Sequence, residues 1–380
     1  YAALTANTTG NYNSVLGFET LEANTTGDAN TAIGHKALEA NTTADNNTAV
    51  GYFALGTNTT GVRNTAVGMN ALSATVAGQR NTAVGMNALL NNTTSYNSAV
   101  GQGALSGNTS GAANNAFGYQ ALAANTTGSS NVAIGNSALA TITTAGESTA
   151  VGYLALNAST TGSANSAFGS GSLEKNTTGG SNTAVGRNAL RQNTTASYNS
   201  ALGFGALNAN TTGASNTGLG YYALTANTTA ANNTAVGYQA LNTITTSGDC
   251  TALGYQAGKD NHSIRLLALG YQAGLNNNAW PNTFIGYGSG AVSADITGDG
   301  NTAVGYQTLE DITSGDNNTA IGHLALANNT TGSSNVAVGR DALTANTTGD
   351  RNTAIGQEAL DANTTSSYSS AVGHAALANN

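Results

Sequence analysis

The chain repeats one short motif from end to end, and this repetition limits the folds that are open to it. The motif is Asn-Thr-Ala-Val-Gly-Tyr-Gln-Ala-Leu, followed by a polar stretch ending in Asn-Thr-Thr-Gly; one copy of its first part runs from Asn233 to Leu241. A glycine follows the large apolar residue in all 22 copies, from Gly17 to Gly373, and we number positions from this anchor glycine as zero. Successive anchors are seventeen positions apart, with three steps of sixteen and one of nineteen. Such a period indicates one repeat array over residues 1–380.

The length of the repeat unit indicates its secondary structure. The unit is too short for two packed helices, since helical solenoid repeats need about 33 residues or more. The glycines also interrupt a helix before it can nucleate. Position −1 is Val, Ile, Leu or Phe in all 22 copies, and position +4 is Leu in 19 of 22. We therefore predict an all-β fold, a β-solenoid (parallel β-roll) of about 22 coils. Each coil is expected to contain two short strands, near −4 to −1 and +3 to +9.

Stacking places equal positions of successive coils above one another, so each position becomes a column. Coils about 4.8 Å apart predict a rod on the order of 100 Å long. The Val and Leu columns are expected to fill a thin core, represented by Val50, Leu55, Val67, Leu72, Val236 and Leu241. Position −4 is Asn in 18 of 22 copies. We interpret this column as a structural ladder of side-chain amides rather than a binding face. Its representatives are Asn47, Asn64, Asn81 and Asn233.

Small residues at −2, 0 and +3 form a third feature of the repeat. A strip of alanine and glycine allows another backbone to approach closely, and we expect it to pack against a partner chain. The residues assigned to this interface are Ala49, Gly51, Ala54, Ala235, Gly237 and Ala240.

The copies between 254 and 305 are irregular and are the best place to look for a localised site. The Leu column is lost there, becoming Gly258, Gly274 and Gly290. The segment also contains the only tryptophan and the only proline of the chain. We assign a candidate local site to Trp280, His262 and Arg265. Asp295 and Asp299 are weak candidates for Ca²⁺, because the remaining ligands of a calcium loop are missing, and a solvated turn is the better interpretation.

Composition and motifs exclude several classes of function. Charged residues are only 7% of the chain and the net charge is −8, so there is no basic face for nucleic acid. No apolar run approaches the roughly 20 residues of a membrane helix. The single cysteine, Cys250, excludes a disulfide framework and is interpreted as a buried ladder residue rather than a reactive thiol. No catalytic or phosphate-binding motif is present, so we expect neither an enzyme nor a cofactor.

The unit Asn/Ser-Thr/Ser-Ala-Val/Ile-Gly-x-x-Ala resembles the head repeats of YadA-like trimeric autotransporter adhesins. It is also similar to repeats of bacterial and phage tail-fibre-domain proteins. Two local matches are Gly254-Tyr-Gln-Ala-Gly258 and Gly270-Tyr-Gln-Ala-Gly274. The resemblance implies a left-handed parallel β-roll, trimerisation and an extracellular position on a cell or virion surface. The coil of this chain is longer than the coil of those heads, and no coiled-coil stalk or chaperone domain is visible.

These observations lead to one leading hypothesis and two alternatives. The leading hypothesis is an extracellular structural or adhesive fibre segment that associates with itself, as a trimer or as an end-to-end filament. Neither end shows a polar cap, so we expect either that the chain is a segment of a longer protein or that its copies stack end to end. It would bind surface glycans or host cells and would catalyse no reaction. Glycan binding through the Tyr column at +1 is one alternative. Ice binding is the other; it is less favoured because adjacent Thr-Thr pairs point to opposite faces of a strand.

Overall fold

A computed structural model describes residues 3–291 and 294–379 and divides the chain into two compact units, Tyr1–Thr195 and Ala196–Asn380. Within these residues there is no helix, and every strand is equally short. The strands of the first unit are β1 Ser14–Leu16, β2 Thr31–Ile33, β3 Thr48–Val50, β4 Thr65–Val67, β5 Thr82–Val84, β6 Ser98–Val100, β7 Asn115–Phe117, β8 Val132–Ile134, β9 Thr149–Val151, β10 Ser166–Phe168 and β11 Thr183–Val185. Those of the second unit are β12 Ser200–Leu202, β13 Thr217–Leu219, β14 Thr234–Val236, β15 Thr251–Leu253, β16 Leu267–Leu269, β17 Thr283–Ile285, β18 Thr302–Val304, β19 Thr319–Ile321, β20 Val336–Val338, β21 Thr353–Ile355 and β22 Ser370–Val372.

Each unit is a β-solenoid in which every coil contributes one strand to a parallel sheet. Neighbouring strands pair without any shift of register, so that Thr48 lies beside Thr65 and Val50 beside Val67. The same alignment continues across the shorter steps of the repeat, as between Thr82 and Ser98. The predicted all-β solenoid is therefore confirmed, and the sequence columns are columns in space.

The second strand predicted for each coil, from +3 to +9, is not formed. Residues at +2 and +4 have positive φ in coil after coil, for example Phe53 at 52° and Leu55 at 50°. This left-handed backbone cannot continue an extended strand. The segment after the anchor glycine is therefore a series of turns, although its backbone groups are paired. Leu38 N–H donates to the Ala54 carbonyl at 3.0 Å, and Ala40 N–H donates to the Gly56 carbonyl at 3.1 Å.

The core of each unit consists of leucine facing alanine. Leu55, Leu72 and Leu241 are fully buried, as the repeat predicts. The prediction that Val50, Val67 and Val236 also fill the core is wrong, because these side chains are only partly buried. The alternating strand points its central residue inward and its two outer residues away from the core. So short a coil encloses too little space for Leu and Val together, and alanine therefore occupies the inner position.

The alanines of the small-residue strip are consequently part of the interior and not an interface. Ala49, Ala54, Ala235 and Ala240 have no exposed surface. The interface assigned to these alanines is therefore wrong.

The anchor glycine is small for a different reason. Gly51 and Gly237 have φ of 135° and 136°, and a Cβ there would lie 2.6 Å and 2.2 Å from the carbonyl oxygen of the next anchor. Glycine is required at both positions because the backbone of the next coil already occupies that space. Both glycines are partly exposed, and their assignment to a partner interface stays a prediction.

In the irregular coils, side chains from other positions fill the space that Leu at +4 fills in the regular coils. A Cβ on Gly258 would meet Leu266 Cδ2 at 2.8 Å, and one on Gly290 would meet Phe284 Cδ1 at 2.4 Å. Leu266 stands where other coils have the ladder Asn, and Phe284 stands where they have the inward Ala; both are buried. The apolar volume of the core is thus retained while its source within the coil changes.

Candidate functional site

The outer face of the strands carries two columns of side chains, at −3 and −1. Thr or Ser is the usual residue at −3, and an aliphatic residue or Phe stands at −1. Many of the −1 side chains expose a large fraction of their surface, including Ile33 at 40%, Phe117 at 42% and Leu253 at 51%. Neither column contains a charged residue. The apolar column that the sequence suggests as core therefore lies on the surface.

An aromatic stack runs beside this face in the second unit. Eight rings at position +1 of successive coils stack one on another, with centroids 4.8–5.5 Å apart and ring planes within 3–14° of parallel. The rings are those of Phe204, Tyr221, Tyr238, Tyr255, Tyr271, Tyr287, Tyr306 and His323. The six tyrosines are 40–50% exposed. Partial desolvation and the neighbouring Tyr222 raise the pKa of Tyr221.

The stack determines what the tyrosines present to a ligand. Each inner ring has both faces covered by its neighbours, so only ring edges and hydroxyl groups face solvent. A glutamine ladder at +2 lies next to the stack in the same coils. Gln256 Nε2 donates to Gln239 Oε1 at 3.0 Å, and Gln272 Nε2 donates to Gln256 Oε1 at 3.0 Å. The column predicted at +1 is thus present here. In the first unit Tyr52 contacts His35 at a tilt of 52° instead.

The asparagine columns lie inside the solenoid. At −4, the Asn47 and Asn64 backbone N–H groups donate to the amide oxygens of Asn30 and Asn47 at 3.0 and 2.9 Å. The Asn81 and Asn233 backbone N–H groups make the same contact at 3.0 Å. Their side-chain amides donate to carbonyl groups about one coil further along, as Asn47 Nδ2 does to the Gly61 oxygen at 2.9 Å. All four side chains are buried, so these amides serve the backbone and not a ligand.

A second ladder, at +7, was not expected from the sequence. Asn41 Nδ2 donates to Asn24 Oδ1 at 2.9 Å and to the Ala44 carbonyl at 3.1 Å. In the described residues the column is interrupted by buried side chains at Thr75, Ile142, Ser159, Ile244 and Ile312. The Oδ1 atoms of Asn58, Asn125 and Asn227, each immediately before an interruption, have no hydrogen-bond partner, and neither has that of Asn346. The Asn of each Asn-Thr-Thr unit was the available signal, because a buried amide column explains its regularity.

The three residues of the predicted local site are brought together only in part. The Arg265 guanidinium carbon lies 5.5 Å from the centroid of the Trp280 ring, a cation–π contact. His262 instead contacts Asn278, with Nδ1 and Oδ1 2.9 Å apart. The peptide bond from Trp280 to Pro281 is cis.

The acidic pair and the cysteine are explained by local structure. Asp299 accepts the Trp280 backbone N–H at 2.6 Å, while Asp295 is exposed. Within residues 3–291 and 294–379, no three His, Cys, Asp or Glu side chains form a group that could hold a metal ion. Cys250 is fully buried, its Sγ lies 3.4 Å from the Ser263 carbonyl oxygen, and burial raises the pKa of the thiol. Cys250 is therefore a substitute for Asn in the ladder.

Comparison with known proteins finds no similar protein. No protein-family model, curated protein or solved structure matches the chain. Among the described residues, no helix is long and apolar enough to cross a membrane.

Proposed function

We propose that this chain is a segment of an extracellular structural or adhesive fibre, related to YadA-like or tail-fibre-domain repeats, which associates with further copies of itself. The observation that supports this is a set of uncharged columns in the second unit, at positions −3, −1 and +1 of the coils between 203 and 306. There the aromatic stack lies beside exposed aliphatic side chains such as Leu219 and Leu253. The proposed role is mechanical and adhesive and involves no reaction. The continuous hydrogen bonding from coil to coil gives each unit the rigidity that such a role needs.

The size of this apolar surface supports association. The six tyrosines are 40–50% exposed, which leaves on the order of 500 Å² of their surface accessible. Exposed aliphatic side chains at −1, such as Leu219 and Leu253, add to this area. The largest apolar patch on a typical monomer is about 300–600 Å², whereas a standard protein interface buries about 800 Å² per partner. A second copy of the chain is the proposed partner, because it presents the same uncharged columns at the same spacing.

A glycan-binding role has less support. A sugar ring packs on the free face of an aromatic side chain, and stacking covers both faces of every inner ring from Tyr221 to Tyr306. Only edges and hydroxyls remain for such a ligand.

The association can be tested by placing charge within the stack. In the full chain, Tyr255→Asp combined with Tyr271→Asp is expected to weaken self-association by at least about 100-fold, since an unpaired carboxylate would be buried at a cost of several kcal/mol. Light scattering after size-exclusion chromatography would give the mass as a function of concentration. The control adds the same two charges at exposed threonines elsewhere in the unit, Thr229→Asp with Thr246→Asp. A wild-type chain that stays monomeric at all concentrations, or equal effects of both variants, would contradict the proposal.

A further inference from the structure

The outer face of the first unit contains a regular surface of small polar and apolar side chains. From β2 to β6 the −3 column is Thr31, Thr48, Thr65, Thr82 and Ser98. The −1 column beside it is Ile33, Val50, Val67, Val84 and Val100. All ten side chains are partly or fully exposed, and none is charged. Bulky Phe117 in β7 ends this surface on one side, and Leu16 in β1 ends it on the other.

The hydroxyl groups of this surface are available to water. Within the described coils, the hydroxyls of Thr31, Thr48, Thr65 and Thr82 make no hydrogen bond to the protein. The threonines at +8 differ, because their hydroxyls donate to backbone carbonyls of the next coil. Thr25 does so to the Thr42 oxygen at 3.1 Å. The repeat therefore has one threonine column that ties coils together and another that is left free.

The free column is held in a fixed arrangement. The strands pair in register, so the hydroxyls repeat at the interstrand spacing of about 4.8 Å. Across each strand the −3 and −1 side chains are about 6.6 Å apart. Nine of the ten residues are β-branched, and β-branched side chains have few χ1 rotamers available. The hydroxyl and methyl groups are thus ordered before any ligand binds.

From this arrangement we infer that the Thr/Val face of β2–β6 binds the surface of ice. Hydroxyls anchor individual water molecules, and rows of methyl groups order the water between them. Both spacings of the face recur regularly, so the face suits a ligand whose own groups are periodic, as the water molecules of an ice surface are. The absence of charge favours a neutral lattice over an ionic ligand. The threonines concerned are those of the strand, not the adjacent Thr-Thr pairs considered from the sequence, and the Thr-x-Val pattern replaces the Thr-x-Thr pattern.

This inference is independent of the fibre proposal, because it depends on residues of the first unit alone. It is tested on the full chain by measuring thermal hysteresis and the inhibition of ice recrystallisation. Wild-type protein is expected to separate the freezing and melting temperatures more than an equal concentration of albumin does. Thr48→Tyr with Thr65→Tyr places two bulky rings in the centre of the face and is expected to abolish most of this difference.

The matched control makes the same substitutions on another side of the neighbouring coils. Thr43 and Thr60 are exposed at position +9, and Thr43→Tyr with Thr60→Tyr is expected to leave the hysteresis unchanged. Circular dichroism checks the fold of each variant. If the tyrosine pair on the face does not fold, Thr48→Ser with Thr65→Ser retains the hydroxyls, removes two methyls and is expected to give a partial loss. Wild-type hysteresis equal to that of albumin would overturn the inference, as would equal losses in the face and control variants.

Discussion

The anchor glycine shows how strictly single positions are determined by the coil that follows. Gly101 has φ of 135°, and a Cβ there would lie 2.4 Å from the Gly118 carbonyl oxygen. Gly103, two residues later, has φ of 68°, and its Cβ would meet only Gln120 Cγ at 3.7 Å. Both glycines have positive φ, but only one of them lacks space for a side chain.

This pair gives a matched test at the scale of one residue. Gly101→Ala is expected to reduce the free energy of unfolding by at least about 2 kcal/mol, because it combines backbone strain with a steric clash. Gly103→Ala is expected to cost about 1 kcal/mol or less, since other residues adopt the same left-handed backbone at this position in other coils. Urea unfolding followed by circular dichroism measures both. Equal destabilisation by the two variants would show that backbone strain and not the neighbouring coil requires the glycine.

At the scale of the element, the core of an irregular coil is filled by Phe at −2 where regular coils use Leu at +4. Phe284 fills the space left by Gly290, so Phe284→Ala alone is expected to cost about 3–5 kcal/mol. Gly290→Leu alone is expected to cost about 1–3 kcal/mol through overpacking. Together they restore the arrangement of the regular coils, and their combined cost should be smaller than the sum by at least about 1 kcal/mol.

The control cycle combines Phe284→Ala with Gly103→Ala. A Cβ on Gly103 would contact only Gln120 Cγ, at 3.7 Å, so the two sites share no neighbour. These two changes are therefore expected to be additive. Urea midpoints of the single and double variants provide the comparison. Additivity of the Phe284 and Gly290 changes would contradict the proposed exchange of core residues.

The strand also shows how far the sequence can be interpreted without a structure. The regular period predicts the solenoid, and the constant Leu at +4 predicts part of its core. Alternation in Thr-Ala-Val shows that Ala points away from Thr and Val, but it does not show which side is inside. Size suggested Val50 for the core, whereas the volume enclosed by one coil requires Ala49 there. The left-handed backbone at Leu55 also has no signal in the sequence, because leucine rarely adopts it.

The candidate site was predictable to a similar extent. Aromatic residues at +1 in consecutive coils predict a stack from Tyr221 to Tyr306. The free and bound threonine columns cannot be distinguished from the sequence, because both are simply threonine. The difference arises from where each hydroxyl points relative to the next backbone carbonyl.

At the scale of the whole molecule, a coil is a unit that can be removed without disturbing the columns. Deleting residues 64–80 joins position +12 of one coil to position −4 of a later one. It also removes Thr75 and brings Asn92 next to Asn58, whose Oδ1 has no partner. Deleting residues 47–63 removes a segment of equal length but places Thr75 against Asn41.

We expect both deletion variants to fold, because each coil depends chiefly on its neighbours. The 64–80 deletion should be the more stable by about 1–3 kcal/mol, since it gives a buried acceptor its donor and the other deletion creates a buried acceptor without one. Thermal or urea unfolding compares the two. The opposite order of stability would contradict the role assigned to the ladder at +7.

The two asparagine ladders share one polarity. In both of them the amide oxygen of an earlier coil accepts from a group of the later coil, as Asn30 does from Asn47 and as Asn24 does from Asn41. A ribosome makes the earlier coil first. The last folded coil of the growing chain therefore exposes two asparagine amide oxygens that are already in position when the next coil emerges. Each coil thus acts as a template for the next.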